Sequence, residues 1–300
     1  MIAFRHLRLY RLPADYLASL TPQRLDAALG AAPLPPALDG VEMGAAGFLP
    51  LESLGGGYTF EHNRRVLFRF SRDRRLLPGQ VMRRAMDERI DAIRVTEGRT
   101  PGGRERRRIR DEVFFELAPR AFVLRSDTYA ILDFATGWLC IDTNSRAVAD
   151  GLCAALREAL GSFPALPATT DASVRALFTS WLTAGASPHD SRLVLGTRCI
   201  LAEPIEGGAR IVARDQELFC EEVEAHLAAG KQCTKLALSL DGLVEFTLDE
   251  DLTVSILRWD EPPQIDGDDA SPEGTAILHM AHLSQLVGLL ATELELEESP

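Results

Sequence analysis

Strand-like segments in this chain come in pairs joined by turn signals, with a helix after each pair, and that order constrains the fold more than any motif. Residues 128–133 and 137–142 read as one hairpin, followed by a helix capped at Asn144 or Ser145 and stopped at Gly161. Residues 192–201 and 209–214 read as a second pair, joined near Glu206-Gly207-Gly208 and followed by a helix over 217–229. A three-strand meander follows at 231–240, 243–248 and 253–259, with Asp241-Gly242 as the hairpin turn. Strict βαβα alternation is missing, so the expected class is α+β with largely antiparallel sheets and flanking helices. The recurrence of hairpin and helix suggests two subdomains, about 1–167 and 168–300.

The remaining elements fit that class. Residues 1–12 read as a strand. A helix over 21–29 has Thr21 as cap and Pro22 at its first position. The Pro- and Gly-rich stretch 31–57 reads as loop, and 58–60 and 65–71 as strands. Residues 162–167 are extended, 171–184 a helix and 275–294 a closing helix. Between the early strands and residue 118 lie two helices, 79–95 and 104–117, separated by breakers at 98–103. Met82, Met86, Ile90 and Ile93 form one apolar stripe, and Ile109, Val113 and Leu117 another. The two helices read as an αα-hairpin over 76–117 that projects from a body made of 1–75 and 118–300. A projecting pair buries little apolar surface alone, so the Met82–Ile93 stripe is the candidate dimer contact.

Composition excludes several classes. Of the 300 residues, 46% are hydrophobic and 25% charged, as in globular proteins and unlike disordered or collagenous chains. No uninterrupted apolar run reaches about 18 residues, and the N-terminal segment interleaves Arg5, Arg8 and Arg11 with apolar residues, so neither a membrane span nor a secretory signal is expected. The five cysteines, Cys140, Cys153, Cys199, Cys220 and Cys233, are far apart and make no C-x-x-C, as in reduced, buried thiols. The expected address is the cytoplasm.

The net charge of −12 argues against nucleic acid, but its distribution does not. Residues 61–125 hold 18 Arg and 10 acids, whereas 126–300 hold 10 bases and 29 acids. Within 99–110 six Arg face one acid, Glu105. Arg104, Arg107 and Arg108 in that run are either a solvated helix face or phosphate contacts that release counterions. In Pro119-Arg120-Ala121-Phe122, Arg120 can reach a phosphate. Phe122 either starts a core strand or inserts into a neighbour or stacks on a base. Lys231 and Lys235 are the only lysines, and on a strand they share one face with position 233.

Catalytic and metal signatures are sparse. Gly55-Gly56-Gly57 lacks the helix and Lys of a phosphate cradle. His279 and His282 lack a proposed third ligand. Glu222 and His226 read as a surface pair. Asp249-Glu250-Asp251 sits where a turn favours acids, and a metal-dependent hydrolase using it is the enzymatic alternative. No cofactor is called for.

The chain also resembles a known family. Phe4 with Leu9-Tyr10-Arg11-Leu12, then Leu77-Pro78 with Val81, Asp111-Glu112-Val113 and Leu117-Ala118-Pro119-Arg120-Ala121-Phe122 occur in the order seen in RdgC, the recombination-associated proteins of proteobacteria. Ile141-Asp142, Leu160-Gly161-Ser162, Ala229-Gly230-Lys231 and Thr234-Lys235-Leu236-Ala237-Leu238 continue the match. The resemblance implies a non-enzymatic, ring-shaped homodimer that holds double- or single-stranded DNA in a positive central hole, without sequence preference. It further implies restraint of RecA-promoted strand exchange, on the nucleoid and away from membranes. On this resemblance Arg120 faces DNA, Phe122 anchors a gate at an interface, and Lys231 and Lys235 contact phosphate. Arg214 and Gln216 take DNA roles, whereas Asp215 departs from a stretch that is more basic elsewhere in the family. A regulator that meets the recombinase without binding DNA is the other alternative.

Overall fold

Strand β1 (His6–Arg11) opens the fold, burying Leu7, Leu9 and Tyr10. The computed structural model describes residues 3–185, 192–205, 207–240, 242–260 and 271–297. Helix α1 (Ala14–Ser19) follows; six residues carry too little periodicity to announce a helix. Helix α2 (Pro22–Ala31) starts as expected, with Thr21 Oγ1 accepting from the Arg24 amide at 3.2 Å. The stretch expected to be loop contains strand β2 (Gly44–Leu49) and a 3-10 turn (Glu52–Leu54). Strands β3 (Thr59–His62) and β4 (Arg65–Leu76) form a tight hairpin. Its two central residues, Asn63 and Arg64, are both left-handed at φ 48° and 61°, as a turn matched to strand twist requires.

Helices α3 (Gly79–Glu97) and α4 (Gly103–Leu117) then precede strand β5 (Phe122–Asp133). A 3-10 turn, Ala118–Arg120, links α4 to β5. Strand β6 (Trp138–Ile141), helix α5 (Arg146–Leu160), strand β7 (Leu166–Pro167) and helix α6 (Val174–Ala184) continue the chain. Strands β8 (Leu193–Ala202) and β9 (Arg210–Arg214) form the second pair. Helix α7 (Glu221–Ala228) starts four residues later than expected, because Leu218 first turns into the core. The meander β10 (Gln232–Leu240), β11 (Val244–Asp249) and β12 (Val254–Trp259) matches the reading, and α8 (Pro272–Glu293) closes the described fold. Glu206, Asp241 and most of the acidic stretch after Asp260 lie outside the described residues. The class is therefore α+β, with one large antiparallel sheet and eight helices among the described residues.

Two compact units share these elements. The first comprises 1–31, 50–69 and 128–300; the second comprises 32–49 and 70–127. The units divide elsewhere than at the 167/168 boundary expected from the hairpin recurrence, and 76–117 falls wholly in the second. The chain passes between them at 31/32 and 49/50 and again within β4 and within β5.

In the first unit the strands run β4-β5-β6-β1-β12-β11-β10-β8-β9, with β3 on β4 and β7 on β1. Helix α8 supplies Met280, Leu283, Leu286, Val287 and Leu290 to the core, and α6 supplies Phe178 and Trp181. By length and composition α8 is apolar enough to cross a membrane; its buried leucines make it the central core helix of this unit. Helix α5 turns Ala149, Leu152, Cys153 and Leu156 inward.

In the second unit β2 pairs with β4, and Phe48 packs on Phe70 with ring centroids 5.5 Å apart. The 32–34 segment lies directly on β2: the Leu34 amide donates to Phe48 O at 2.9 Å, and the Phe48 amide to Ala32 O at 3.0 Å. Gly47 makes this approach possible, since a Cβ there would stand 2.4 Å from Leu34 N and 2.6 Å from Pro33 C. Gly47→Ala is expected to destabilise this unit by about 3 kcal/mol, read as a lower denaturation midpoint by far-UV circular dichroism.

Candidate nucleic-acid interface

Charge separates along the unit boundary. The second unit carries 15 Arg against 12 acids, and the first 17 bases against 32 acids. The arginines of the second unit concentrate on α3 and α4. Gly98, left-handed at φ 68°, stops α3, and its amide donates to Arg94 O at 3.1 Å. Helix α4 restarts five residues on, and Ile109 and Val113 pack on Ile90, with Met82, Met86, Ile93 and Leu117 half-buried around them. The stripe read as a dimer contact therefore meets α4 first, because two i, i+4 stripes in neighbouring helices satisfy each other. Arg89 adds an ionic clasp from α3 to Glu112, at 3.7 Å, and to Glu116.

The arginine run is not uniform. Arg99 is held by Glu105, at 2.6 and 2.8 Å, and by Glu97, and its guanidinium keeps the Glu105 carboxyl below the usual carboxylate range. Arg106 donates to Pro101 O and Arg110 lies beside Asp111. Arg104 and Arg107 have no ion-pair partner among the described residues, and both are exposed. Arg108 meets Glu112 at 3.2 Å, but the pair is solvent-exposed, and such pairs are weak. Arg104, Arg107 and Arg108 stand at i, i+3 and i+4, so one helix face presents three exposed guanidiniums.

The segment after α4 is equally open. Arg120 is exposed, 3.8 Å from Glu116. Phe122 starts β5 but enters no core: it is 86% exposed, and Val123 and Leu124 after it are also exposed. Successive strand residues point to opposite faces, so neither face of this strand end is covered. Three residues on, Arg125 grips Asp73 with two hydrogen bonds of 2.8 Å, holding the Asp73 carboxyl below its ordinary range. Arg75, two residues beyond Asp73, is a buried cation that sequence reading missed, because its neighbours in Arg72-Asp73-Arg74-Arg75 make it look like strand-surface polarity.

The candidate residues of the first unit are placed differently. Lys231 precedes β10 rather than joining it, is 14% exposed and lies 3.6 Å from Glu203. Lys235 lies 2.7 Å from Asp249. A β-bulge between Cys233 and Lys235 breaks the alternation that would align 231, 233 and 235, and Cys233 is fully buried. The two ammonium groups are thus two separate ion pairs instead of an open patch. Arg214 is exposed at the end of β9, directly across from Arg198, and the backbone N–H of Gln216 donates to Thr197 O at 3.4 Å. Asp215 between them is left-handed at φ 54°.

The residues weighed for metal or catalysis are engaged elsewhere. Asp249, Glu250 and Asp251 each face a different base, respectively Lys235, Arg175 and Arg8, so the three carboxylates do not converge. Among the described residues no three His, Cys, Asp or Glu side chains are grouped to hold a metal. Burial pushes the Cys153 thiol up to about 12 and Cys199 to about 11, as inert thiols require.

His279 is a core histidine: its Nε2 accepts from the Phe4 amide at 3.0 Å, and Trp259 packs edge-on against it. Burial, with His282 nearby, lowers its pKa to about 4. The folded state thus refuses a proton that the unfolded chain takes up below about pH 6.5. Stability is expected to fall by roughly 3 kcal/mol as pH drops from 6.5 to 4. His279→Gln, which keeps an acceptor, should flatten that dependence in denaturation followed by tryptophan fluorescence.

Fold and charge together define an α+β protein whose arginine-rich surface is concentrated on one pair of helices. The family model described as "Putative exonuclease, RdgC" matches residues 2–297. The chain belongs to the RdgC family. The Recombination-associated protein RdgC of Xanthomonas axonopodis pv. citri (strain 306) is 34% identical over 305 residues, covering 99% of both chains. That of Xylella fastidiosa (strain 9a5c) is 35% identical over 307 residues, with the same coverage. That of Xanthomonas campestris pv. campestris (strain B100) is 39% identical over 232 residues, 75% of this chain and 76% of the relative.

Proposed function

We propose that this recombination-associated protein binds DNA without sequence preference, as a homodimeric ring with the duplex in a positive central hole. The observation that carries the reading is the exposed face of Arg104, Arg107 and Arg108 on α4, where three guanidiniums are available to phosphate. Backbone contacts carry no base information, so binding is blind to sequence. A two-fold ring needs two self-complementary contacts per subunit. The uncovered Phe122-Val123-Leu124 end of β5 suits one. The other is the α3–α4 pair, taken as a projecting αα-hairpin, through the outer sides of Met82, Met86 and Ile93, with Ile90 buried beneath them against α4. Arg120 beside Phe122 faces the DNA, and Arg214 and Gln216 add contacts in the first unit. Lys231 and Lys235 join them only on leaving Glu203 and Asp249. Single strands are held in the same way, and occupancy of DNA restrains RecA on the nucleoid.

Fluorescence anisotropy with duplexes of unrelated sequence, across a salt series, tests this. The expected result is dimeric, sequence-blind binding whose log K falls by about 0.9 per phosphate neutralised for each decade of salt. Absence of binding at moderate salt would transfer the reading to a regulator that meets the recombinase directly. The family description raises nuclease activity as a second reading. It is tested by incubating labelled DNA with Mg²⁺ and the Asp249→Asn, Glu250→Gln and Asp251→Asn variants. The separate ion pairs of these acids favour no product in any of them.

A further inference from the structure

The sheet of the first unit is creased on both sides of β10 and β11. In β8, three residues between Leu195 and Cys199 oppose a single residue of β10, Ala237. In β12, Ile256 and Leu257 oppose the one residue between Glu245 and Thr247 of β11. Ile256 takes φ 56° there, a left-handed conformation that β-branched residues rarely adopt and that a bulge usually gives to glycine. Strain of this kind persists where the surrounding structure enforces it, and it gathers at binding sites. Gly196 sits at the other bulge, where a Cβ would come within 2.9 Å of the Ala237 side chain.

Between the bulges lies a cleft of about 330 Å³, within the size range of small-molecule sites. Its charged lining is Arg198, Arg258, Asp215 and Glu245. None of the four has an ion-pair partner among the described residues, although Glu245 and Arg258 are cross-strand neighbours. Arg198 Nε is buried and lacks a hydrogen-bond acceptor, a cost that a ligand oxygen would remove. Thr197 and Ser239 add hydroxyls, and half-exposed Ile256 adds an apolar wall.

The balance of charge selects the ligand. A bare phosphate would meet two carboxylates along with the two guanidiniums. A nucleotide instead offers an anion at one end and N–H donors at the other, which carboxylates accept. We propose that this cleft is a nucleotide site, with the phosphate on Arg198 and Arg258 and the amino edge of the base on Asp215 or Glu245. The nucleotide comes either from solution or from an unpaired position of a DNA strand. The site does not depend on the ring reading.

Calorimetric titration of the full chain with dGMP, inorganic phosphate and deoxyguanosine tests it. Saturable dGMP binding at least ten-fold tighter than either fragment is expected. Arg198→Gln and Arg258→Gln should each weaken dGMP about ten-fold. Arg258 is exposed, so its variant keeps the test valid if the Arg198 variant fails to fold. At least one of Glu245→Gln and Asp215→Asn should weaken dGMP, and neither should weaken inorganic phosphate, which loses a repelling carboxylate in each. Competition by a single-stranded hexamer would assign the nucleotide to a strand, and its absence to the free pool. The Arg104/Arg107/Arg108→Ala variant must retain dGMP affinity even if duplex binding disappears, which separates this site from the DNA reading. No saturable dGMP binding, or undiminished binding by both arginine variants, overturns the proposal.

Discussion

Replacing Arg104, Arg107 and Arg108 together with alanine should lower duplex affinity by about a hundred-fold or more near 0.1 M salt. Each phosphate left without its guanidinium takes about 0.9 from the slope of log K against log salt, so the slope should become shallower by about 2.7. All three side chains are exposed, and α4 is held by Ile109 and Val113, which the substitutions leave alone. The fold should therefore change in stability by no more than about 0.5 kcal/mol. Arg99→Ala is the matched control, because that guanidinium is already committed to Glu97 and Glu105. It should change affinity less than two-fold if only uncompensated charge counts. An unchanged salt slope in the triple variant would remove α4 from the DNA surface.

The second large effect is on stability. Arg75 is 7% exposed and donates to four carbonyls: Glu42 O and Ala118 O at 2.8 Å, and Leu38 O and Gly40 O at 3.1 Å. One guanidinium thus ties the 38–42 segment to the end of α4, with its planar fork filling a role that ammonium geometry cannot. Arg75→Met keeps much of the volume and removes every donor, leaving buried carbonyls unpaired. The expected cost is about 3–5 kcal/mol, and it should fall on the second unit. Hydrogen exchange should show loss of protection in 32–49 and 70–127, with the first unit still protected. Uniform protection across the variant would mean that water replaces the guanidinium at little cost.

Sequence and structure agree where periodicity is long. The 19-residue α3, the 15-residue α4 and α5, and the meander carry enough repeats to declare themselves. Helix α1 and strand β2 do not: one is six residues long, and the other, Gly-Ala-Ala-Gly-Phe-Leu, has the composition of a loop and is held by the Pro33–Leu34 segment laid against it. Alternation failed at Lys235 because counting by twos assumes an unbroken ladder, and bulges are invisible in residue spacing. Charge counting located the basic segment. It could not tell Arg104 from Arg99 or Arg75, since compensation depends on which carboxylates and carbonyls the fold brings alongside. Arg198 and Arg258 are 60 residues apart in sequence and meet only through the order of strands in the sheet.

The division into two units also decides what light can report. Trp138, Trp181 and Trp259, and all four tyrosines, fall in the first unit; the second holds neither residue type. Intrinsic fluorescence is therefore blind to the arginine-bearing helices, and a melting curve recorded at tryptophan wavelengths follows only the acidic unit. A single tryptophan at Phe115, exposed on α4, would give the dark unit its own signal and let the two be watched separately in one chain.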